Sequence, residues 1–571
     1  MAHGRWPSIM LGALALGAAP FAVAADGPVT FLDQGWSEEI RELFYFTPQG
    51  SRIIPYAWFM ALETPDGNGM FKDPAHLERY GFIPADRPHP LNPGGLPIGF
   101  ALDPAGAAPA SPYDALAAEA GQGSRPGPEL GMTCAACHTG AITVEGRPIR
   151  IDGGPANLDF DRFYADLAAA VTRTFFDPAA FQGFAGRVLG DAAPTAAAEL
   201  RLQLAQFQAR IAGEAVIRHP RVASGFGRVD ALTQIVNAIA VTDQGEAQNL
   251  RAVDAPTSYP QLWLAPELEF VQWNPIAASP IGRNGGEVLG VFGTATLTGE
   301  PQDWFASSIL IKELHAVETW IADLEPPKWD EAIFGPIDRD RAETGEGLFR
   351  QHCAACHNAP PWRRTDPSAN LFGKTFIEIG RVDYQKVGTD PVYAEALAKR
   401  LVRTNAATAQ VLEGKPLVPA AAYFLRTAGA IVSRAMDEAG LTAEEKVAIG
   451  GFRLRPPAVP GGPPQPYAPP SLTDLKASPL PGVWATGPYL HNGSVATVYE
   501  LLSPEAERRR VFWTGGRELD RERLGFLSDD APGRFRFDTS VPGNRNTGHL
   551  YPRRGLDHDE RLAIIEYLKT L

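Results

Sequence analysis

The chain of 571 residues contains four cysteines, and they fall into two copies of one pattern: Cys134-Ala135-Ala136-Cys137-His138 and Cys353-Ala354-Ala355-Cys356-His357. Two thiols three positions apart, with a histidine directly after the second, form the attachment signature of c-type haem. About one helical turn separates the thiols, so both can reach the vinyl groups of one porphyrin, and the adjacent imidazole is carried beneath the iron. The pattern implies two covalently attached haem c groups, with Cys134, Cys137, Cys353 and Cys356 as attachment points and His138 and His357 as proximal ligands. Two C-x-x-C pairs could also build a zinc site, and one alone could be a thiol redox pair. Neither explains a histidine after both second cysteines, nor the lack of any other cysteine. Redox chemistry is the default function.

Function then turns on the sixth position at each iron. A strong histidine or methionine ligand makes an electron-transfer haem, whereas an open position can activate dioxygen or peroxide. No methionine follows Met436, so the second iron is expected to take a histidine. His549 is the first candidate, in the loop Asn544-Arg545-Asn546-Thr547-Gly548-His549 before a terminal helix; His491, in Pro488-Tyr489-Leu490-His491-Asn492-Gly493-Ser494, is the second. His558, among Asp557, Asp559 and Glu560, reads as a surface residue. At the first iron, Met132 is too close to Cys134 to cross to the opposite face, and His219 precedes Pro220 in a loop. An open or weakly occupied first iron is expected.

The elements that position these groups read as mainly α. Leu310, Leu314, Val317, Ile321 and Leu324 recur at helical spacing and stop at Glu325-Pro326-Pro327, a new helix begins near Asp338, and Leu562, Ile565 and Leu568 mark a last one. Two cytochrome c-like haem domains in tandem are expected, with few short strands, such as Ile142-Thr143-Val144 and Ile149-Arg150-Ile151. The boundaries read as 1–24, 25–325 with the N-terminal region and the first haem domain, and 338–571 with the second. The first unit carries a large irregular insertion, helical from Ala197 to Ile217 and less regular from Asp254 to Thr298. The 52 prolines and 57 glycines suit long connections around cofactors.

Residues 1–24 read as a cleavable secretory signal: Arg5, an apolar stretch from Ile9 to Ala19, and the small-x-small site Ala22-Val23-Ala24. A periplasmic or secreted protein is expected, with no membrane span, since no later segment approaches ~20 unbroken apolar residues. The formal charge of −14 argues against nucleic acid or an anionic membrane surface as partner.

The haem motifs, the leader and Gly482-Val483-Trp484-Ala485-Thr486-Gly487-Pro488-Tyr489-Leu490-His491-Asn492-Gly493-Ser494 together resemble the bacterial di-haem cytochrome c peroxidase superfamily. Gln34-Gly35-Trp36-Ser37, Val271-Gln272-Trp273-Asn274 and Arg283-Asn284-Gly285-Gly286-Glu287-Val288-Leu289-Gly290 are similar to the branch of latex-cleaving rubber oxygenases. The resemblance implies a reactive haem at the first motif and an electron-relaying haem at the second. It also implies two histidines on the second iron, with His549 matching the further ligand. Rubber cleavage does not follow, because a fold hosts many substrates.

Trp273, with Trp263 and Phe292, could line the open side of the first haem or the path between the irons, although such aromatics are more often plain core. Arg283 and Glu287 could form a distal acid–base or haem-propionate pair, or a structural ion pair. An oxygenase would have an apolar distal pocket, and a peroxidase a carboxylate or histidine near the bound oxidant. The partners expected are dioxygen or peroxide, with a redox protein or a small or polymeric hydrophobic substrate; calcium is left open. The alternative is a non-catalytic electron carrier with both irons six-coordinate.

Overall fold

The computed structural model describes residues 27–104, 127–450 and 471–571, with Arg455 and Gly462 between. The leader read over 1–24 lies outside the described residues.

The first haem motif sits between two small sheets. Strands β1 (Thr30–Phe31), β2 (Ile54–Pro55), β3 (Phe100–Asp103), β4 (Glu129–Met132), β5 (Thr139–Val144) and β6 (Arg147–Asp152) pair in the orders β2-β4-β3 and β1-β6-β5. β4 ends two residues before Cys134, and β5 starts directly after His138, so the motif is held at both ends by ladders. The β5-β6 hairpin turns at Glu145-Gly146, both at positive φ, between the two strands expected from sequence.

Helix α1 (Glu38–Phe46) starts at Ser37, whose side chain accepts from the Ile40 N–H, with Glu38 and Glu39 beside the positive end of the helix dipole. It buries Phe44, Tyr45 and Phe46. Three helices follow the motif, α2 (Phe160–Phe176), α3 (Pro178–Leu189) and α4 (Ala193–Arg218). Asp177 ends α2 and caps α3, accepting from Ala179 and Ala180, with Pro178 pre-set at the first position. α4 begins four residues earlier than the stretch from Ala197. These helices close an aromatic core that contains Phe59, Phe71, Phe100, Phe163 and Phe184.

Helix α5 (Pro280–Gly290) lies inside the segment expected to be irregular. Its glycines lower its intrinsic propensity, and packing explains them. A Cβ at Gly285 would lie 2.4 Å from Val432 Cγ2, and one at Gly290 would lie 2.2 Å from Ile235 Cγ1. Bare backbone lets α5 lie against its neighbours, and the gain in contact offsets the propensity.

Helix α6 (Ile311–Ala322) ends where the prolines dictate, and α7 (Arg339–His352) starts at its cap Asp338 and runs directly into Cys353. Helix α8 (Ala420–Glu438) packs beside α5, and the terminal helix α9 (His558–Lys569) opens with an Asp557/Glu560 capping box. Trp36 Nε1 donates to the Trp320 carbonyl at 2.7 Å and ties the segment leading into α1 to α6, while α7 crosses α9. One core cluster draws Trp36, Phe44 and Val317 from before the 325–338 linker and Phe349, Trp484 and Leu568 from after it.

The class is mixed α/β, a correction to the mainly helical expectation. Among the described residues there are seven small sheets, most of them two-stranded. Strands of two to four residues are too short for period-2 alternation to register in sequence. No helix among the described residues is long and apolar enough to cross a membrane.

The α7/α9 crossing allows no side chain at Gly345, where a Cβ would stand 1.9 Å from the Ala563 carbonyl oxygen. Gly345→Val should force the helices apart and destabilise this part of the fold by about 1–3 kcal/mol or more. Thermal melts followed in the Soret band would register a lowered midpoint, and an unchanged midpoint would contradict the tight crossing.

Candidate haem sites

Each C-x-x-C-H segment forms the same short turn. The N–H of His138 donates to the Cys134 carbonyl at 2.9 Å, and that of His357 to the Cys353 carbonyl at 2.9 Å. The two histidines are then fixed in the same way. His138 Nδ1 lies 2.7 Å from the Pro260 carbonyl, 122 residues on, and His357 Nδ1 lies 2.7 Å from the Ser478 carbonyl, 121 residues on. A carbonyl only accepts, so each Nδ1 carries the proton and each Nε2 is left as a lone-pair donor. Burial pushes His138 down to about 4 and lowers His357 as well, so both rings are neutral near pH 7, as metal ligation requires.

The motifs open onto separate cavities. One of about 140 Å³ contains Cys134, Cys137 and His138, and one of about 360 Å³ contains Cys353, Cys356 and His357. The four cysteines therefore do not converge on one zinc site. Burial also raises the Cys134 and Cys137 thiols to about 12, opposite to the lowered values of thiol redox pairs.

In the larger cavity, the ring centroids of His357 and His549 lie 6.1 Å apart with the planes inclined at 64°. A metal–imidazole bond of about 2 Å on each side, plus ~1.1 Å from ring nitrogen to ring centre, separates two trans histidines by ~6.2 Å. The spacing fits one iron between them. His549 adopts φ +56°, a strained conformation for a residue with a side chain, and its buried Nδ1 has no hydrogen-bond partner. Its backbone N–H donates to the Val387 carbonyl at 2.9 Å. Burial takes its pKa down to about 3.

His491 lines the same cavity and packs against Tyr393 at 5.7 Å between ring centres. Its neighbours do mechanical work. Asn492 Nδ2 donates to the Gly543 and Arg545 carbonyls, both at 3.1 Å, and Ser494 Oγ donates to Arg545 at 3.0 Å. The buried Arg228 clamps the same region through the Asn492 carbonyl at 3.0 Å and Asn544 Oδ1 at 2.9 Å. Asn492-Gly493-Ser494 is thus a turn that anchors the strand of chain leading to His549. His558 and His219 are exposed, remote from either cavity.

The smaller cavity has no second histidine among its lining residues. Met132 lines it from the end of β4, on the cysteine side. Glu287 on α5 lines it as well, and Gln272 Nε2 donates to Glu287 Oε1 at 2.7 Å. Burial holds the Glu287 carboxyl above its ordinary value, against the lowering effects of Arg283 and Gln272. Gln272 itself sits at φ +75°, so the fold accepts strain to hold this amide.

Trp273 lines both cavities, its indole N–H donating to the Ser258 carbonyl at 2.8 Å. The other expected site residues line neither cavity, although the Arg283 charge acts on Cys134, His138 and Glu287. Arg283 lines neither cavity; its guanidinium pairs with Glu318 and Asn284, the structural alternative, because α6 brings Glu318 alongside. Trp263 is core, donating to the Pro481 carbonyl at 2.9 Å, and Phe292 packs on Tyr164 at a tilt, lining neither cavity. Gln272, Lys476 and the carbonyls of Pro260 and Ser478 were not singled out from sequence. Only Gln272, beside Trp273 in a quoted segment, carried any signal.

Residues 475–514 match the RoxA-like, cytochrome c-like family, which implies covalent haem c with iron and a haem-based redox function, on the rubber-oxygenase-like side of the resemblance. The matched segment contains Lys476, Ser478 and the Pro488–Ser494 loop. The chain is 26% identical over 324 residues to the uncharacterized protein y4iM of Sinorhizobium fredii (strain NBRC 101917 / NGR234), covering 55% of this chain and 60% of that protein. It is 33% identical over 591 residues to the uncharacterized protein y4iJ of the same organism, covering 95% of this chain and 93% of that protein. With a likeness of that extent, the chain belongs to the family of the y4iJ protein.

Proposed function

We propose that this chain is an exported di-haem c-type oxidoreductase, with units over 25–325 and 338–571, in which the first haem reacts with peroxide and the second relays electrons. The observation that carries the reading is the asymmetry of the two cavities. One pairs His357 with His549 at a spacing suited to a saturated iron, and the other offers His138 alone with Glu287 on the same cavity wall.

Haem c, when bound, supplies an iron that changes oxidation state and a porphyrin that spreads the charge. The protein's own groups do the rest. Cys134, Cys137 and His138 would hold one haem, and Cys353, Cys356, His357 and His549 the other. The Pro260 and Ser478 carbonyls increase the basicity of the two proximal rings. Reduction of peroxide to water consumes protons as well as electrons, and Glu287 is the group in the first cavity that can take and return one. Gln272 orients that carboxylate. Trp273, fixed by Ser258, stands between the cavities where electrons must pass. The leader and the family's haem chemistry support a periplasmic location and a redox protein as electron donor.

Dioxygen is the second reading, supported by the RoxA-like match and by aliphatic walls such as Ile235, Val288 and Val291 in the first cavity. A hydrophobic substrate would then take the place of an electron donor.

Low-temperature electron paramagnetic resonance should give a low-spin bis-histidine signal beside a high-spin or ligand-exchangeable one. His549→Ala should abolish the former. Two low-spin signals indifferent to peroxide and oxygen would sink the enzyme reading in favour of an electron carrier.

Glu287→Gln should slow peroxide turnover by about 10²–10⁴-fold. The base form exists only above a carboxyl pKa that burial has raised, so wild-type activity should fall as pH drops through that raised value. The variant should lack this acid limb. An unchanged rate and pH profile would remove peroxide as the preferred oxidant and leave dioxygen.

A further inference from the structure

A part-buried amine facing a cavity calls for an anion, and the second cavity supplies none of its own. Lys476 lies on the strand Asp474–Ala477, paired antiparallel with Gly380–Asp383, and lines the cavity that contains His357 and His549. No carboxylate lines that cavity among the described residues, and Lys476 has no ion pair or side-chain hydrogen bond there. The first cavity is the reverse: Glu287 lines it, and no lysine or arginine does.

The lysine's main chain is held on both sides. Its N–H donates to the Trp273 carbonyl at 2.8 Å, and Ser478, two residues on, accepts from His357. The stem of the side chain thus starts from a fixed point between the residue shared by both cavities and the segment that orients the proximal histidine. Burial, with a smaller contribution from Arg283, takes its pKa down to about 8, which reflects the cost of an uncompensated ammonium. Haem brings two propionate carboxylates, the anion class this amine lacks.

We propose that Lys476 is the counter-ion of a propionate on the haem of the second cavity and raises that haem's reduction potential. This rests on the two-haem reading above. A nearby cation favours the ferrous over the ferric state, since reduction removes one positive charge from the iron, and low local dielectric strengthens the effect.

The intact mass of the wild-type holoprotein is read first, since it counts haems; fewer than two would overturn the di-haem reading itself. With two haems present, Lys476→Met and Lys476→Arg are compared by potentiometric titration of the low-spin haem and by redox-difference infrared spectra of the propionate carboxylates. Lys476→Met should move the midpoint to a more negative potential and shift a propionate band, while Lys476→Arg should leave both near wild type. Loss of the second haem in Lys476→Met, with retention in Lys476→Arg, would also support the pairing. Midpoints and bands unchanged in both variants would overturn the inference and leave the di-haem reading standing.

Discussion

Two hydrogen bonds organise this molecule: the histidines of the two C-x-x-C-H motifs each present Nδ1 to a backbone carbonyl more than a hundred residues away. A ring so held has its tautomer, its orientation and its lone pair decided together. The condition reaches far into the chain. Pro260 and Ser478 must be delivered to within 2.7 Å of their partners, and the segments that carry them also carry Ser258, Trp273 and Lys476. The large insertion after the first motif is therefore the structure that completes its histidine and walls off its cavity.

The same segments join the two cavities. Ser258, Tyr259 and Trp273 line both, and the Ser258 N–H donates to the His491 carbonyl at 2.9 Å. Arg228 lies one residue before Val229, a wall of the first cavity, and clamps the loop that leads toward His549. A buried guanidinium that satisfies several carbonyls is costly to disturb, because removing it leaves each acceptor unpaired in a low-dielectric interior. The two cavities are thus built from shared segments.

Strain marks the same places. Gln272, Leu490 and His549 all hold positive φ despite their side chains, and each lines a cavity. Such conformations persist only where the surroundings over-determine them. Asn492, Ser494 and the Val387 carbonyl supply that surrounding structure around His549.

Much of this was legible in the residues alone. Covalent haem attachment needs two thiols and an imidazole within five positions, a local constraint that sequence spacing states directly; the helix limits at Pro326 and Asp338 are equally local. The short strands escaped notice because two to four residues carry no period, and α5 because its glycines obey packing partners distant in sequence. What stands opposite each histidine was open to sequence only as candidates, His549 ahead of His491 at the second motif and no clear ligand at the first. Arg283 and Glu287 sit four residues apart on one face of α5 and act on each other electrostatically, yet the first pairs with Glu318 and the second lines a cavity, since the neighbours of α5 change along its length. The sequence by itself determined the cofactor chemistry, because the bonds involved are covalent and local. Tertiary structure decided which motif's cavity also contains a second histidine and which a carboxylate, because those contacts join segments separated by more than a hundred residues.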